Sequence, residues 1–141
     1  MIEQSHGYYK KRTVALPFEQ ALARTREALS VEGFGILSEI DVRAALQNKL
    51  QVDFRPYTIL GACNPPLAHR ALTAEPDIGV LLPCNVVVYE GDNAGQSVIS
   101  VVDPEVSLGK VDNPALAPLA MEVKKRLERV LDAIGAGGAT N

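Results

Sequence analysis

Between Cys84 and Val102 two β-prone stretches, Cys84 to Glu90 and Gln96 to Val102, flank Gly91-Asp92-Asn93-Ala94-Gly95, a run with the composition of a hairpin loop. Val86, Val87 and Val88 are β-branched, stiff at χ1 and suited to a pleated surface. The chain is therefore expected to build on an antiparallel strand pair. Every other element has to pack on that pair or beside it.

The flanking segments supply both kinds of partner. Tyr8 to Leu16 reads as a strand closed by Pro17, which suits the first turn of a helix. Phe18, Leu22, Thr25 and Leu29 then recur at spacings of four, three and four, and Gly33 ends the pattern. Phe34 to Ile40 alternates as a second strand, placing Glu39 on the face of Leu37. Asp41 caps a short helix through Val42, Ala45, Leu46 and Leu50. Tyr57 to Cys63 forms a third strand with Tyr57, Ile59, Gly61 and Cys63 on one face. Asn64-Pro65-Pro66 opens a short helix, Ile78 to Leu82 is a brief apolar run broken by Pro83, and Asp103-Pro104 ends the fifth strand before a polar connection. Asn113-Pro114 opens the longest helix, with Leu119, Val123, Leu127, Val130 and Ile134 on its apolar stripe.

This order predicts an α+β fold, a largely antiparallel sheet with helices packed on one face, in a single domain. The alternating first half also admits a three-layer α/β arrangement. Residues 1–7 are expected to be a flexible N-terminus, residues 8–134 the domain and residues 135–141 a disordered tail. An uncovered second face carrying Leu37, Leu60 and Val87 would want a partner, so a homodimer is expected.

Composition narrows the classes. At 141 residues the chain can bury roughly 68–70% of its unfolded surface without disulfide staples. With 47% hydrophobic residues, 22% charged and no Trp, its core must be aliphatic. The net charge of −3 and a lone basic cluster, Lys10-Lys11-Arg12, argue against nucleic acid as a partner. No run approaches the ~18 apolar residues of a membrane span, and Met1 to His6 lacks a signal-type apolar stretch, so a cytoplasmic protein is expected. Two thiols in a reducing compartment stay unpaired.

Those two cysteines carry the candidate site. Each begins a Cys-Asn pair, Cys63-Asn64 and Cys84-Asn85, and each pair sits where an apolar strand meets a Pro-bearing turn. Thiol, amide, the Tyr57 hydroxyl and the Glu39 carboxylate would together fix a small polar molecule against apolar walls. An alternative is thiol chemistry: Cys63, just before a helix N-terminus, would be activated by the partial positive charge there, with Cys84 in support. A third reading makes the cysteines packing residues of a homodimeric interaction module. Asn64 is also explained as a helix cap, and Asn85 as a partner for backbone groups after Pro83. A separation of twenty-one residues between the cysteines does not match structural zinc, and no metal site is assigned. Gly33-Phe34-Gly35 lacks the third glycine of a dinucleotide fingerprint, and neither G-x-S-x-G nor H-E-x-x-H occurs. No cofactor and no enzymatic reaction can be named from these residues.

The segment from Asp53 to Pro65, with its Cys63-Asn64, and the segment from Leu81 to Glu90, with its Cys84-Asn85, resemble the domain of unknown function 302 family, DUF302, from about Val14 to Ile134. The resemblance implies an α+β fold like that of the TATA-box-binding protein, and a dimer. It implies no activity, and a fold likeness gives no licence to infer DNA binding.

Overall fold

Strand β4 (Cys84–Glu90) lies at the centre of a five-stranded sheet whose order is β1-β5-β4-β3-β2, every neighbour antiparallel. The others are β1 (Tyr9–Val14), β2 (Gly35–Asp41), β3 (Tyr57–Cys63) and β5 (Ser97–Val102). This is a computed structural model that describes residues 7–139. The hairpin of β4 and β5 pairs Val86 with Val101 and Val88 with Ile99, as two runs around a glycine-bearing loop require. The fold is α+β with an antiparallel sheet and its main helices on one side, and the three-layer alternative falls away.

Helices α1 (Phe18–Val31) and α5 (Leu116–Ala139) cover one face. Leu60, Val86, Val88 and Ile99 point from the sheet into fully buried contact with this layer, where Leu29, Leu127, Val130 and Leu131 meet them. Each such side chain contributes about 1.5–3 kcal/mol relative to exposure. Leu60 is thus core, and it does not join Val87 on the uncovered face. Lys10 and Arg12 of β1 share the covered face and reach α5, pairing with Glu128 and Asp132. Gly33, at φ +85°, closes α1 as expected, its N–H donating to the Ser30 carbonyl.

A second, smaller core joins α3 (Pro65–Ala74), the 3₁₀ turn Pro76–Leu81, α4 (Pro104–Leu108) and α5 through Leu67, Ile78, Leu108, Leu116 and Leu119. The polar connection expected after the fifth strand therefore contains a helix. Asp103 caps it, its carboxylate accepting from the Glu105 N–H at 3.0 Å. Helix α2 (Val42–Leu50) is capped by Asp41 as expected yet buries none of its residues.

One boundary differs from the sequence reading. Helix α5 runs past Ile134 to Ala139, so the expected tail is helical through 139. The helix continues through Gly135, where the Arg12 guanidinium lies close against the backbone; a Cβ there would sit 1.9 Å from the guanidinium carbon. Residues 1–6 and 140–141, where a flexible start and a disordered end were expected, lie outside the described residues. No helix is long and apolar enough to cross a membrane among the described residues.

Candidate functional site

The antiparallel pairing of β3 with β4 sets Ala62 opposite Cys84, which brings the two Cys-Asn pairs to one end of the sheet. Asn64 caps α3, its side-chain oxygen accepting from the Leu67 N–H at 3.3 Å, and Pro65 and Pro66 occupy the first turn. The chain therefore turns sharply out of β3 and leaves α3 standing over the end of the sheet. Between α3, the 3₁₀ turn, α4 and α5 lies an apolar pocket of about 240 Å³. Cys63, Asn64 and Cys84 line it, with Ala68, Ala71, Leu82, Pro83, Ser107, Leu108 and Val123 among the walls.

The two thiols are free and half-buried. Burial, reinforced by the neighbouring Cys63, pushes the Cys84 thiol up to about 11. At neutral pH Cys84 is a protonated thiol, a small soft wall atom with a weak donor and no nucleophilic charge.

The other candidates lie elsewhere. Tyr57 and Asn85 are on the uncovered face, in a separate shallow groove with Tyr8, Tyr9, Val87, Tyr89 and Ser100. There the Tyr57 and Tyr89 rings stack at 5.2 Å and 6°, directly opposite one another on β3 and β4, and Arg55 lies 5.9 Å from the Tyr89 ring centre. Burial, then Tyr89 and Tyr8, raises the Tyr57 phenol above its ordinary value. All four tyrosines of the chain are on this face or beside it.

Glu39 belongs to neither place. A bulge between Ile36 and Ser38 shifts the register of β2, so that Glu39 stands opposite Leu60 on the helix-covered side, while Ser38 and Ile40 face the open side. Its carboxylate takes a two-pronged ion pair from Arg26 of α1, with one hydrogen bond at 2.9 Å, and that bond holds it below the usual carboxylate range. Glu39 is an exposed edge residue that ties β2 to α1.

The sequence reading missed the α4 wall and the aromatic face. Asp103-Pro104 carries the same Asx-Pro start as Asn64-Pro65 and Asn113-Pro114, and reading it as a cap would have revealed Ser107 and Leu108 as residues of a new helix. Leu37, unpaired at the bulge, lines the pocket mouth and does not stand on the open sheet face.

The family model for the domain of unknown function DUF302 matches residues 10–134. The chain belongs to the DUF302 family. A solved structure, the uncharacterized conserved protein DUF302 from Bacillus stearothermophilus, is similar over 92% of this chain and 99% of its own, with 34% sequence identity and a TM-score of 0.83. No curated protein matches. The two Cys-Asn blocks of this DUF302 domain thus fall inside the matched region, and the pocket walls from Phe34 to Val123 do as well. Among the described residues, no group of three or more His, Cys, Asp or Glu side chains is placed to hold a metal ion.

Proposed function

We propose that this DUF302 domain binds a small molecule in the pocket between the Cys63 and Cys84 strand ends. One observation carries the reading: chain segments twenty-one residues apart converge on a single apolar hollow that also draws walls from α3, α4 and α5. Its volume of about 240 Å³ is just under the ~300–1,000 Å³ of typical ligand pockets, which suits a ligand smaller than a drug. A protonated Cys84 would be a poor resolving partner, which weighs against the supporting role the thiol-redox alternative gives it, since thiolate is the reactive form. Two free thiols also suit a reducing compartment such as the cytoplasm. The test is amide chemical-shift mapping with a small-molecule mixture: the reading expects shifts at Ala68, Ala71, Cys84 and Leu108, and their absence with every compound would overturn it.

A second reading, a homodimer, rests on a different observation. Helix α2 buries nothing, and Leu50 (62% exposed), Ile40, Val52 and Phe54 extend its apolar surface towards the uncovered sheet face with Ile59 and Val87. A second copy would cover this surface by a two-fold pairing. Light scattering after size exclusion reads the mass directly; a monomer at high protein concentration would end this reading.

A further inference from the structure

We propose that the pocket, taken as the binding site of the reading above, accepts a neutral, mostly aliphatic molecule of about eight to ten heavy atoms. The size follows from the volume. An apolar cavity of roughly 150 Å³ holds benzene and a water occupies about 30 Å³, so 240 Å³ holds about eight to ten heavy atoms.

Neutrality follows from the lining. Among the described residues no charged side chain lines the pocket, and its polar groups are Asn64, Ser107 and the two thiols. Two of these are already engaged: Asn64 accepts from the Leu67 N–H, and the Ser107 hydroxyl lies 3.5 Å from the Pro104 carbonyl as its donor. The cations beside the α4–α5 wall are committed as well. Lys124 pairs with Asp103 at 3.5 Å and with Glu105, and Arg126 bonds Glu122 at 2.9 Å and the Glu32 carbonyl at 2.8 Å. A carboxylate or ammonium entering here would be desolvated without a counter-charge.

The mouth fixes the shape. Leu37 (69% exposed), Leu72 (41%) and Leu81 (41%) rim the opening, so apolar surface continues from the inner wall to solvent. That continuity fits an elongated chain lying inward from the rim, with one weakly hydrogen-bonding group at the Cys63–Asn64 end.

Titration of the full-length ¹⁵N-labelled chain with 1-octanol and, separately, with octanoate tests this. Octanol is expected to shift the amides of Ala68, Ala71, Cys84 and Leu108 saturably, and octanoate to bind more than about tenfold more weakly. Octanoate binding as tightly as octanol would overturn the neutral class while leaving the pocket as a site. Small polar fragments moving those amides where octanol does not would have the same meaning. Silence with every probe would remove the site itself. Ala68→Phe, at a half-buried wall position, should abolish the octanol shifts; Leu72→Asp, at the exposed rim, should weaken octanol at least tenfold in a chain whose remaining spectrum is unchanged. Undiminished octanol shifts in both variants would place the binding elsewhere.

Discussion

Replacing Gly61 with alanine should damage the strand end that carries the site. Gly61 is buried in β3 opposite Asn85, and a Cβ there would lie 2.3 Å from the Ser38 hydroxyl oxygen and 2.8 Å from Cγ of Pro83. The Ser38 hydroxyl can rotate away, since the Ser38 Cβ itself would be 3.6 Å distant. The Pro83 ring has less freedom: its Cγ must shift by repuckering or by displacement of the ring, which adjoins Cys84. Overpacking of this kind costs about 1–3 kcal/mol. Against that, alanine recovers roughly 0.5–1 kcal/mol of the glycine penalty inside a strand. The net expectation is a loss of up to about 2.5 kcal/mol, centred near 1 kcal/mol, or roughly half a molar in a urea midpoint at a slope near 2 kcal/mol/M. Urea unfolding followed by circular dichroism measures it, and the Cys84 amide shift reports whether the pocket wall moved. Ser38→Ala in the same chain should restore only part of the loss, because the Pro83 contact remains. A Gly61→Ala midpoint equal to or above that of the parent, with the Cys84 amide unmoved, would refute this reasoning.

Asn64→Ala should lower stability by about 1 kcal/mol, because the Leu67 N–H loses its cap at a buried helix start; denaturant unfolding measures it. Above the ordinary thiol range the unfolded chain releases the Cys84 proton while the folded chain keeps it, so stability should fall as pH rises towards about 11, a slope that Cys84→Ser should reduce in pH-dependent unfolding. Maleimide labelling of Cys84 at neutral pH should be correspondingly slow, and rapid labelling would contradict the protonated thiol. Glu39→Gln should cost less than about 1 kcal/mol, since its pair with Arg26 is solvent-screened, and should leave octanol binding unchanged in the same amide titration. Leu50→Lys should shift a dimer to monomer by light scattering with thermal stability of the protomer nearly unchanged, because the residue is exposed within one chain.

The parts of the fold legible in the sequence are those whose period is long enough to speak for itself. The β4–β5 hairpin, the stripe from Leu119 to Ile134 and the Phe18–Leu29 pattern each repeat several times, and each appears where expected. Strand β2 shows what a short pattern hides. One unpaired residue at Leu37 reverses the faces beyond it, and nothing in Ile36-Leu37-Ser38-Glu39 marks the bulge, so Glu39 was read towards the wrong neighbours. The convergence of Cys63, Asn64 and Cys84 was legible: they line one pocket because strand ends with adjacent turns are set by pairing. Tyr57 and Asn85 were drawn into it by proximity in sequence, yet Asn85 alternates to the face opposite Cys84, and Tyr57, though on the same side of β3 as Cys63, stands at the far end of that strand opposite Tyr89. The walls from α4 and α5 were invisible because they arrive through tertiary packing some twenty to forty residues away in sequence from the nearer cysteine.

Crystals of the protein pressurised with xenon test the central claim most directly, because xenon occupies apolar cavities without needing a hydrogen bond. The account predicts a xenon site among Ala71, Cys84 and Leu108, at the meeting of the two strand ends. A pocket that stays free of xenon, or one filled by side chains so that Cys63 and Cys84 face no common space, would contradict it.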